Sequence, residues 1–322
     1  MQNLINGYLE QIKIGRKQSN KNMTLFPLFS TYTLNLEYLL LDEALGQGVI
    51  EISEVDQGGS VPELKVVNNS AFMILILDGE ELVGAKQNRI VNTTILVKEN
   101  STLVIPVSCV EQGRWSYDSP RFSSKERMMS ANLRAMKSGH VQNSVRSTGE
   151  YRADQGAIWE EVASKASRRN AQSPSMAMSE IYEKDAPAIN EYLKNFRLID
   201  SQIGAIFMIN GKVAGLDGFG KPDSFSKTFK KLVESYALDA IDWFEPEKEH
   251  KSSKSEVTDF IRASQASGIE SHESVGLGID LRMESKKITG FALSLDDQIL
   301  HLCVFAKEDD RHDNGMTASM RR

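Results

Sequence analysis

The first third of the chain alternates apolar and polar residues in short runs. Leu34, Leu36, Tyr38 and Leu40 occupy every second position, which is the spacing that turns one face of a strand toward a core. Five further runs follow, separated by polar turns: Val49–Ile52, Leu64–Val67, Phe72–Leu77, Arg89–Val97 and Leu103–Val110. Short strands with such turns predict a sandwich or a curled antiparallel sheet over residues 25–120.

After Trp115 the spacing of apolar residues becomes helical. Three segments predict helices in the middle of the chain: Ser123–Ser138, Gln155–Asn170 and Met178–Phe196. Residues 139–154 lie between the first two, lack apolar periodicity and predict a mobile loop.

The last third predicts a mixture of strands and helices. A hairpin is expected at Asn210-Gly211, because this pair is a strong turn signal between two apolar runs. Further helices and strands are predicted at Pro222–Ile241, Val257–Ala266, Val275–Met283, Ile288–Leu295 and Ile299–Phe305.

These patterns predict an α+β protein with an antiparallel β-rich N-terminal half, central helices and a C-terminal α+β half with antiparallel strands. The expected regions are a helical lead-in at 1–24, a β-rich region with a pocket at 25–120, a basic helical region at 121–197, a C-terminal α+β region at 198–306 and a flexible tail at 307–322.

Composition excludes several classes of protein. With 40% hydrophobic residues and 2 cysteines, the chain has enough apolar content for a core and too few cysteines for a disulfide scaffold. The first residues lack a secretory signal, and no window approaches the roughly 18 apolar residues of a membrane span. We therefore expect a cytoplasmic protein without a membrane partner, with Cys109 and Cys303 as thiols.

The net charge of −6 hides a basic segment, because Arg121 to Asn170 holds ten basic and five acidic residues. Such a segment could bind a protein or a nucleic acid, or it could be a solvated helical face. Few aromatic residues interleave with it, so no stacking platform for a nucleic acid is indicated.

Two stretches, residues 78–89 and 106–115, hold more polar side chains than strands need. If their strands are neighbours, the polar ends would converge in one pocket. The candidate catalytic groups are Glu80, Glu81, Glu111 and Cys109. The candidate ligand-binding groups are Lys86, Gln87, Asn88, Arg89, Gln112, Arg114 and Trp115. Lys86, Arg89 and Arg114 would hold phosphate or carboxylate, and Trp115 would offer a ring for stacking.

Other interpretations of the same residues stay open. Glu111 could form a buried ion pair that fixes the sheet instead of acting as an acid or base. Cys109 and Arg114 have the spacing of a rhodanese-type loop, but the following residues do not start a helix, so a buried strand cysteine is the alternative.

Histidines give no metal signature. The five in the chain are scattered, and no CxxC, HxH or HxxxH spacing occurs, so we expect no zinc site. Mg²⁺ remains open, because oxygen ligands leave no spacing signature. Any other cofactor is undetermined.

The motifs GEELVGAKQNRIVNTTILV and IPVSCVEQGRW resemble the ARG and rhodanese-phosphatase-superfamily-associated protein domain, and the similarity extends over residues 5–306. The family is named for its association with ADP-ribosylglycohydrolases and rhodanese-phosphatase proteins, which implies a role near NAD-derived or ADP-ribosylated metabolites. It implies no established reaction, so whether the protein is an enzyme stays open. Because the similarity spans both halves, residues 25–306 are expected to unfold as one unit.

The leading hypothesis is the binding or processing of an anionic, nucleotide-like small molecule, linked to NAD or ADP-ribose metabolism. The alternative is a non-enzymatic interaction or sensor module that uses the basic helical segment. Neither the ligand nor the oligomeric state follows from the sequence.

Overall fold

The computed structural model describes residues 1–56, 62–116, 119–172, 174–248 and 250–307. Its helices are α1 (Gln2–Glu10), α2 (Leu41–Gly46), α3 (Ala131–Thr148), α4 (Gln155–Arg168), α5 (Met178–Asn195), α6 (Pro222–Asp242) and α7 (Lys254–Gln265). Its strands are β1 (Ile12–Ile14), β2 (Gln18–Asn20), β3 (Met23–Ser30), β4 (Tyr38–Leu40), β5 (Ile50–Glu54), β6 (Glu63–Asn68), β7 (Met73–Ile76), β8 (Glu80–Gly84), β9 (Arg89–Val91), β10 (Ile95–Val97), β11 (Ser101–Cys109), β12 (Phe122–Met128), β13 (Gly204–Ile209), β14 (Lys212–Phe219), β15 (Gly268–Glu273), β16 (Ile279–Glu284), β17 (Ile288–Leu295) and β18 (Gln298–Ala306). The predicted α+β class is confirmed.

The largest sheet has nine strands and is antiparallel, in the order β1-β3-β13-β14-β18-β17-β16-β15, with β2 also paired to β3. Strand β13 shows why its central strands are apolar on both faces. Ala205 and Phe207 pack in a core with α5 and α6, whereas Ile206 and Met208 pack in a second core with α1 and α7. Helices therefore cover both faces of the sheet.

A second sheet of six antiparallel strands, in the order β12-β8-β9-β11-β6-β5, forms the curled N-terminal half. Its concave face surrounds an apolar core that includes α2 and the three-stranded sheet β10-β7-β4. An ion pair of 2.9 Å between Arg121, which precedes edge strand β12, and Glu51 of the opposite edge strand β5 links the two edges of the sheet. The curl therefore approaches a half-barrel.

The start of the chain belongs to the large sheet and not to a purely helical lead-in. Residues 1–24 contain α1 but also β1 and β2, and β3 pairs with β13 from the last third of the chain. The strand expected from Leu34 to Leu40 is shorter, since only Tyr38–Leu40 pairs. Leu34 lies in a loop but is buried in the core. Its burial explains why an apolar residue stands at this position although no strand forms there.

Residues 122–148 differ most from the prediction. The start of the predicted helix at Ser123–Ser138 is wrong, because Phe122–Met128 is β12 and pairs with β8. The predicted loop at 139–154 is also wrong in its first ten residues, since α3 continues to Thr148 and ends at Gly149. The buried face of α3 carries polar side chains, which removes the apolar periodicity that marks a helix: Arg134, Lys137, Ser138 and Gln142.

Most later elements match their predictions. The hairpin β13–β14 and the helices α4 to α7 form where expected, while β15 was missed and β16 begins only at Ile279. The predicted tail lies outside the described residues from 308 onward. Among the helices of the described part of the chain, none is both long and apolar enough to span a membrane.

Candidate functional site

Four strand ends meet at one end of the curled sheet. Strands β5, β8 and β11 end at Glu54, Gly84 and Cys109, and β9 starts at Arg89. In the sheet register Arg89 is opposite both Leu82 and Cys109, so all three face the concave side. We call this region the mouth of the sheet: Glu54, residues 84–89 and residues 109–115. It brings together the ends of both predicted polar stretches.

The loop after β8 has a constrained backbone. Gly84 has φ of 127° and Ala85 has φ of 40°, a region that a residue with a Cβ rarely adopts. A Cβ on Gly84 would lie 2.8 Å from the Arg121 carbonyl oxygen. The Arg114 guanidinium donates hydrogen bonds to the carbonyls of Ala85 at 2.6 Å and Gly84 at 3.3 Å. Arg114 therefore holds the loop in place.

Glu111 works with Arg114. Its carboxylate accepts hydrogen bonds from Arg114 at 2.7 Å, from the Ser175 hydroxyl at 2.7 Å and from the backbone N–H of Asn88 at 3.0 Å. Burial would raise the pKa of Glu111, but these hydrogen bonds outweigh burial and lower it. The geometry matches the alternative of an ion pair that fixes the sheet.

Arg89 and Glu54 form the unusual part of the mouth. The Arg89 side chain is 0% exposed and that of Glu54 4%, and Arg89 Nη2 lies 3.9 Å from Glu54 Oε1. Arg89 Nη1 donates to Gln87 Oε1 at 2.9 Å. In the described part of the chain, Arg89 Nε and Nη2 and both Glu54 oxygens have no hydrogen-bond partner. A buried charge without its hydrogen bonds is rare and destabilising.

Cys109 lies beside this pair but is not activated. Its thiol donates to Gln87 Oε1 at 3.1 Å and to the Glu111 carbonyl at 3.2 Å. The Gln155 side chain, at the start of α4, bonds to both the amide and the carbonyl of Cys109. Burial raises the pKa of Cys109 above its ordinary value, whereas a nucleophilic cysteine needs a lowered one.

Trp115 and Lys86 form the outer part of the mouth. The Trp115 side chain is 51% exposed. The Lys86 ammonium lies 5.2 Å from the centroid of its ring, and the Arg89 guanidinium carbon lies 5.9 Å away, which are cation–π distances. Gln112, in the loop that leads to Trp115, is exposed.

Glu80 and Glu81 do not join the other candidates. Glu80 forms an ion pair with Lys231 of α6 and accepts a hydrogen bond from the Leu77 amide at 2.7 Å. Glu81 is opposite Ile90 in the register, so its side chain is on the other face of β8 from Arg89. Both Glu81 oxygens are buried without a hydrogen bond among the described residues, and burial raises the pKa of Glu81 to about 7.

Sequence reasoning missed Glu54, although a signal was present. Ile50, Ile52 and Glu54 alternate in β5 and share the concave face. A carboxylate that ends an apolar row of a strand is the sequence signal that would have selected Glu54.

Sequence reasoning also missed a cluster that we call the buried junction: Asp78, Arg134, Lys137, Asp217 and Tyr236. Arg134 of α3 makes two hydrogen bonds to Asp217 of β14, at 2.7 and 3.3 Å. Tyr236 donates to the same carboxylate at 2.8 Å, and Lys137 pairs with Asp78. The junction ties the curled half to the large sheet.

The basic segment is largely neutralised within the fold. Of its ten basic residues, nine form ion pairs: Arg121, Arg127, Arg134, Lys137, Arg146, Arg152, Lys165, Arg168 and Arg169. Three of them, Arg134, Lys137 and Lys165, are fully buried. The segment does not present a continuous basic face.

The described residues contain no group of three or more His, Cys, Asp and Glu side chains arranged to hold a metal ion. The chain belongs to the family of the ARG and Rhodanese-Phosphatase-superfamily-associated Protein domain, whose model matches residues 11–305. The family resemblance of the two motifs is thereby confirmed. No curated protein and no solved structure matches the chain.

Proposed function

We propose that the protein binds an anionic, nucleotide-like small molecule at the mouth of the curled sheet. One observation carries this proposal: the Nε and Nη2 atoms of Arg89 are buried without a hydrogen bond among the described residues. These two donors form one edge of the planar guanidinium, which binds a carboxylate or a phosphate through two parallel hydrogen bonds.

The position of Arg89 supports the proposal. Mouths of curled and closed sheets are frequent ligand sites, because the apolar interior ends there in a few polar groups. Trp115 adds a half-exposed ring and Lys86 a second cation. A ring beside two cations suits a ligand that combines an anion with an aromatic base. The family name directs the choice of ligands toward NAD and ADP-ribose.

Binding is the part of the leading hypothesis that the geometry supports. Among the candidate catalytic groups, Glu111 is held by Arg114, Glu80 by Lys231, and Cys109 has a raised pKa. The alternative of an interaction module gains no specific observation, since the basic segment is paired internally.

The test is a thermal-shift screen with NAD, ADP-ribose and inorganic phosphate. A ligand at about 100 times its Kd should stabilise the fold by about 2.7 kcal/mol. Arg89→Lys should remove the shift, because lysine keeps the charge but loses the two-donor edge.

Arg282→Lys is the matched control. Arg282 is equally buried, but it is held by Asp280 at 2.6 Å in the large sheet. This variant should lose stability and keep the ligand shift. A flat screen on folded wild-type protein, or equal ligand shifts in both variants, would contradict the proposal.

A further inference from the structure

We infer that the ligand carries a ribose diol beside its anionic group, with Glu54 accepting the hydroxyls while Arg89 binds the anion. This inference rests on the proposed function and specifies the ligand class. It assigns Glu54 as the residue that selects ribose.

The unpartnered atoms at the mouth form a complementary set. Arg89 offers two donors, Nε and Nη2, and Glu54 offers two acceptors, Oε1 and Oε2. Each charge is buried, yet the closest approach of 3.9 Å is too long for a hydrogen bond. Buried polar atoms without hydrogen-bond partners destabilise a fold, because their lost hydration is not replaced. A ligand that satisfies both side chains would remove this cost.

An anion alone satisfies only half of the set. Inorganic phosphate would pair with Arg89 but would place further negative charge beside Glu54, whose oxygens would stay unpartnered. A ligand with hydroxyl donors next to its anion meets both requirements. An ionised carboxylate only accepts hydrogen bonds, and its two oxygens match two adjacent hydroxyls. Carboxylates recognise ribose hydroxyls in this way in dinucleotide sites.

A zwitterion such as an amino acid would also place a donor on Glu54 and an anion on Arg89. The ribose ligand differs from a zwitterion in placing neutral hydroxyl donors on Glu54. Lys86 adds a further positive charge near Trp115, and Glu111 is neutralised by Arg114. Titration with L-glutamate separates the two ligand classes.

Trp115 is an exposed residue of the mouth in contact with Arg89. The Arg89 guanidinium carbon lies 5.9 Å from the centroid of the Trp115 ring, which is itself half-exposed. Trp115 is therefore an exposed ring beside the buried Arg89 guanidinium.

The test compares the affinities of AMP, 2′-deoxy-AMP and inorganic phosphate by isothermal titration calorimetry. Wild-type protein should bind AMP at least about 10-fold more tightly than 2′-deoxy-AMP, because a hydrogen bond to a charged group contributes about 1.5–3 kcal/mol. Glu54→Gln should abolish this preference while keeping affinity for 2′-deoxy-AMP, because the amide no longer matches two hydroxyl donors.

Glu51→Gln is the control on the same strand, since Glu51 pairs with Arg121 outside the concave face. This variant should keep the preference for AMP over 2′-deoxy-AMP.

Equal affinities of wild-type protein for AMP and 2′-deoxy-AMP, both lost in Arg89→Lys, would overturn the ribose inference and leave the anion site standing. Binding of L-glutamate without AMP binding would also overturn it in favour of a zwitterion. No binding of any of these ligands would contradict both proposals. The wild-type comparison needs no variant to fold.

Discussion

Two completely buried arginines differ in how they contact the carboxylate that faces them. At the buried junction, Arg134 makes two hydrogen bonds to Asp217, which also accepts one from Tyr236. At the mouth, Arg89 faces Glu54 across 3.9 Å without a hydrogen bond to it. At the same burial, Arg134 leaves only Nε without a hydrogen bond among the described residues, whereas Arg89 leaves both Nε and Nη2.

The difference separates a group that holds the fold from a group that is positioned for a ligand. A hydrogen-bonded pair such as Arg134–Asp217 keeps its charges out of water because each partner replaces hydration for the other. An incompletely paired charge destabilises the fold, and such cost is tolerated mainly at functional sites. Burial alone therefore does not distinguish the two roles, whereas hydrogen bonding does.

The largest effect is expected at the junction. Arg134→Met would leave Asp217 buried without its cation, and removal of one partner of a buried pair typically costs about 3–5 kcal/mol. Urea unfolding measures the loss in the free energy of unfolding. A loss below about 1 kcal/mol would mean that Arg134 does not hold the two halves together.

Glu81 provides a third case, a buried carboxyl that lacks a hydrogen bond among the described residues and has a pKa raised to about 7. The folded state keeps this proton while the unfolded state releases it near pH 4.5, so stability should fall as pH rises from about 4.5 to 7.

Glu81→Gln should remove that slope. At pH 8 the free energy of unfolding of the variant should exceed that of the wild type by about 1–3 kcal/mol, and at pH 4.5 the two should be almost equal. Parallel pH profiles of the free energy of unfolding for the variant and the wild type would show that Glu81 ionises normally.

The smallest effect on stability is expected at the mouth. In the double variant Arg89→Met/Glu54→Leu, both charges are replaced by apolar groups, and the free energy of unfolding should stay within about 1 kcal/mol of wild type or rise. The matched double variant Arg134→Met/Asp217→Leu should lose more, because Tyr236 also loses its partner. Equal losses of unfolding free energy in the two double variants would show that the mouth and the buried junction do not differ in their contribution to stability.

The sequence predicted elements whose buried faces are apolar. The hairpin β13–β14 and helix α6 follow their apolar periodicity closely. It failed at α3, where the buried face holds Arg134, Lys137, Ser138 and Gln142. A buried polar face is stable only because residues of distant elements form hydrogen bonds and ion pairs with it. Local sequence patterns carry no information about those residues.

The candidate site was predicted in the same partial way. The convergence of Arg89, Cys109 and Glu111 followed from two polar stretches at strand ends. Glu54 was missed because β5 joins β6, at the far side of the sheet from β8. The separation of Glu80 and Glu81 from the mouth depended on register and on α6, neither of which the local sequence specifies.

A crystal structure of the protein with AMP would test the central claim most directly. We expect the phosphate within hydrogen-bond distance of Arg89 Nε and Nη2, and the ribose hydroxyls within hydrogen-bond distance of Glu54. AMP bound elsewhere, with Arg89 and Glu54 unchanged at the mouth, would contradict it.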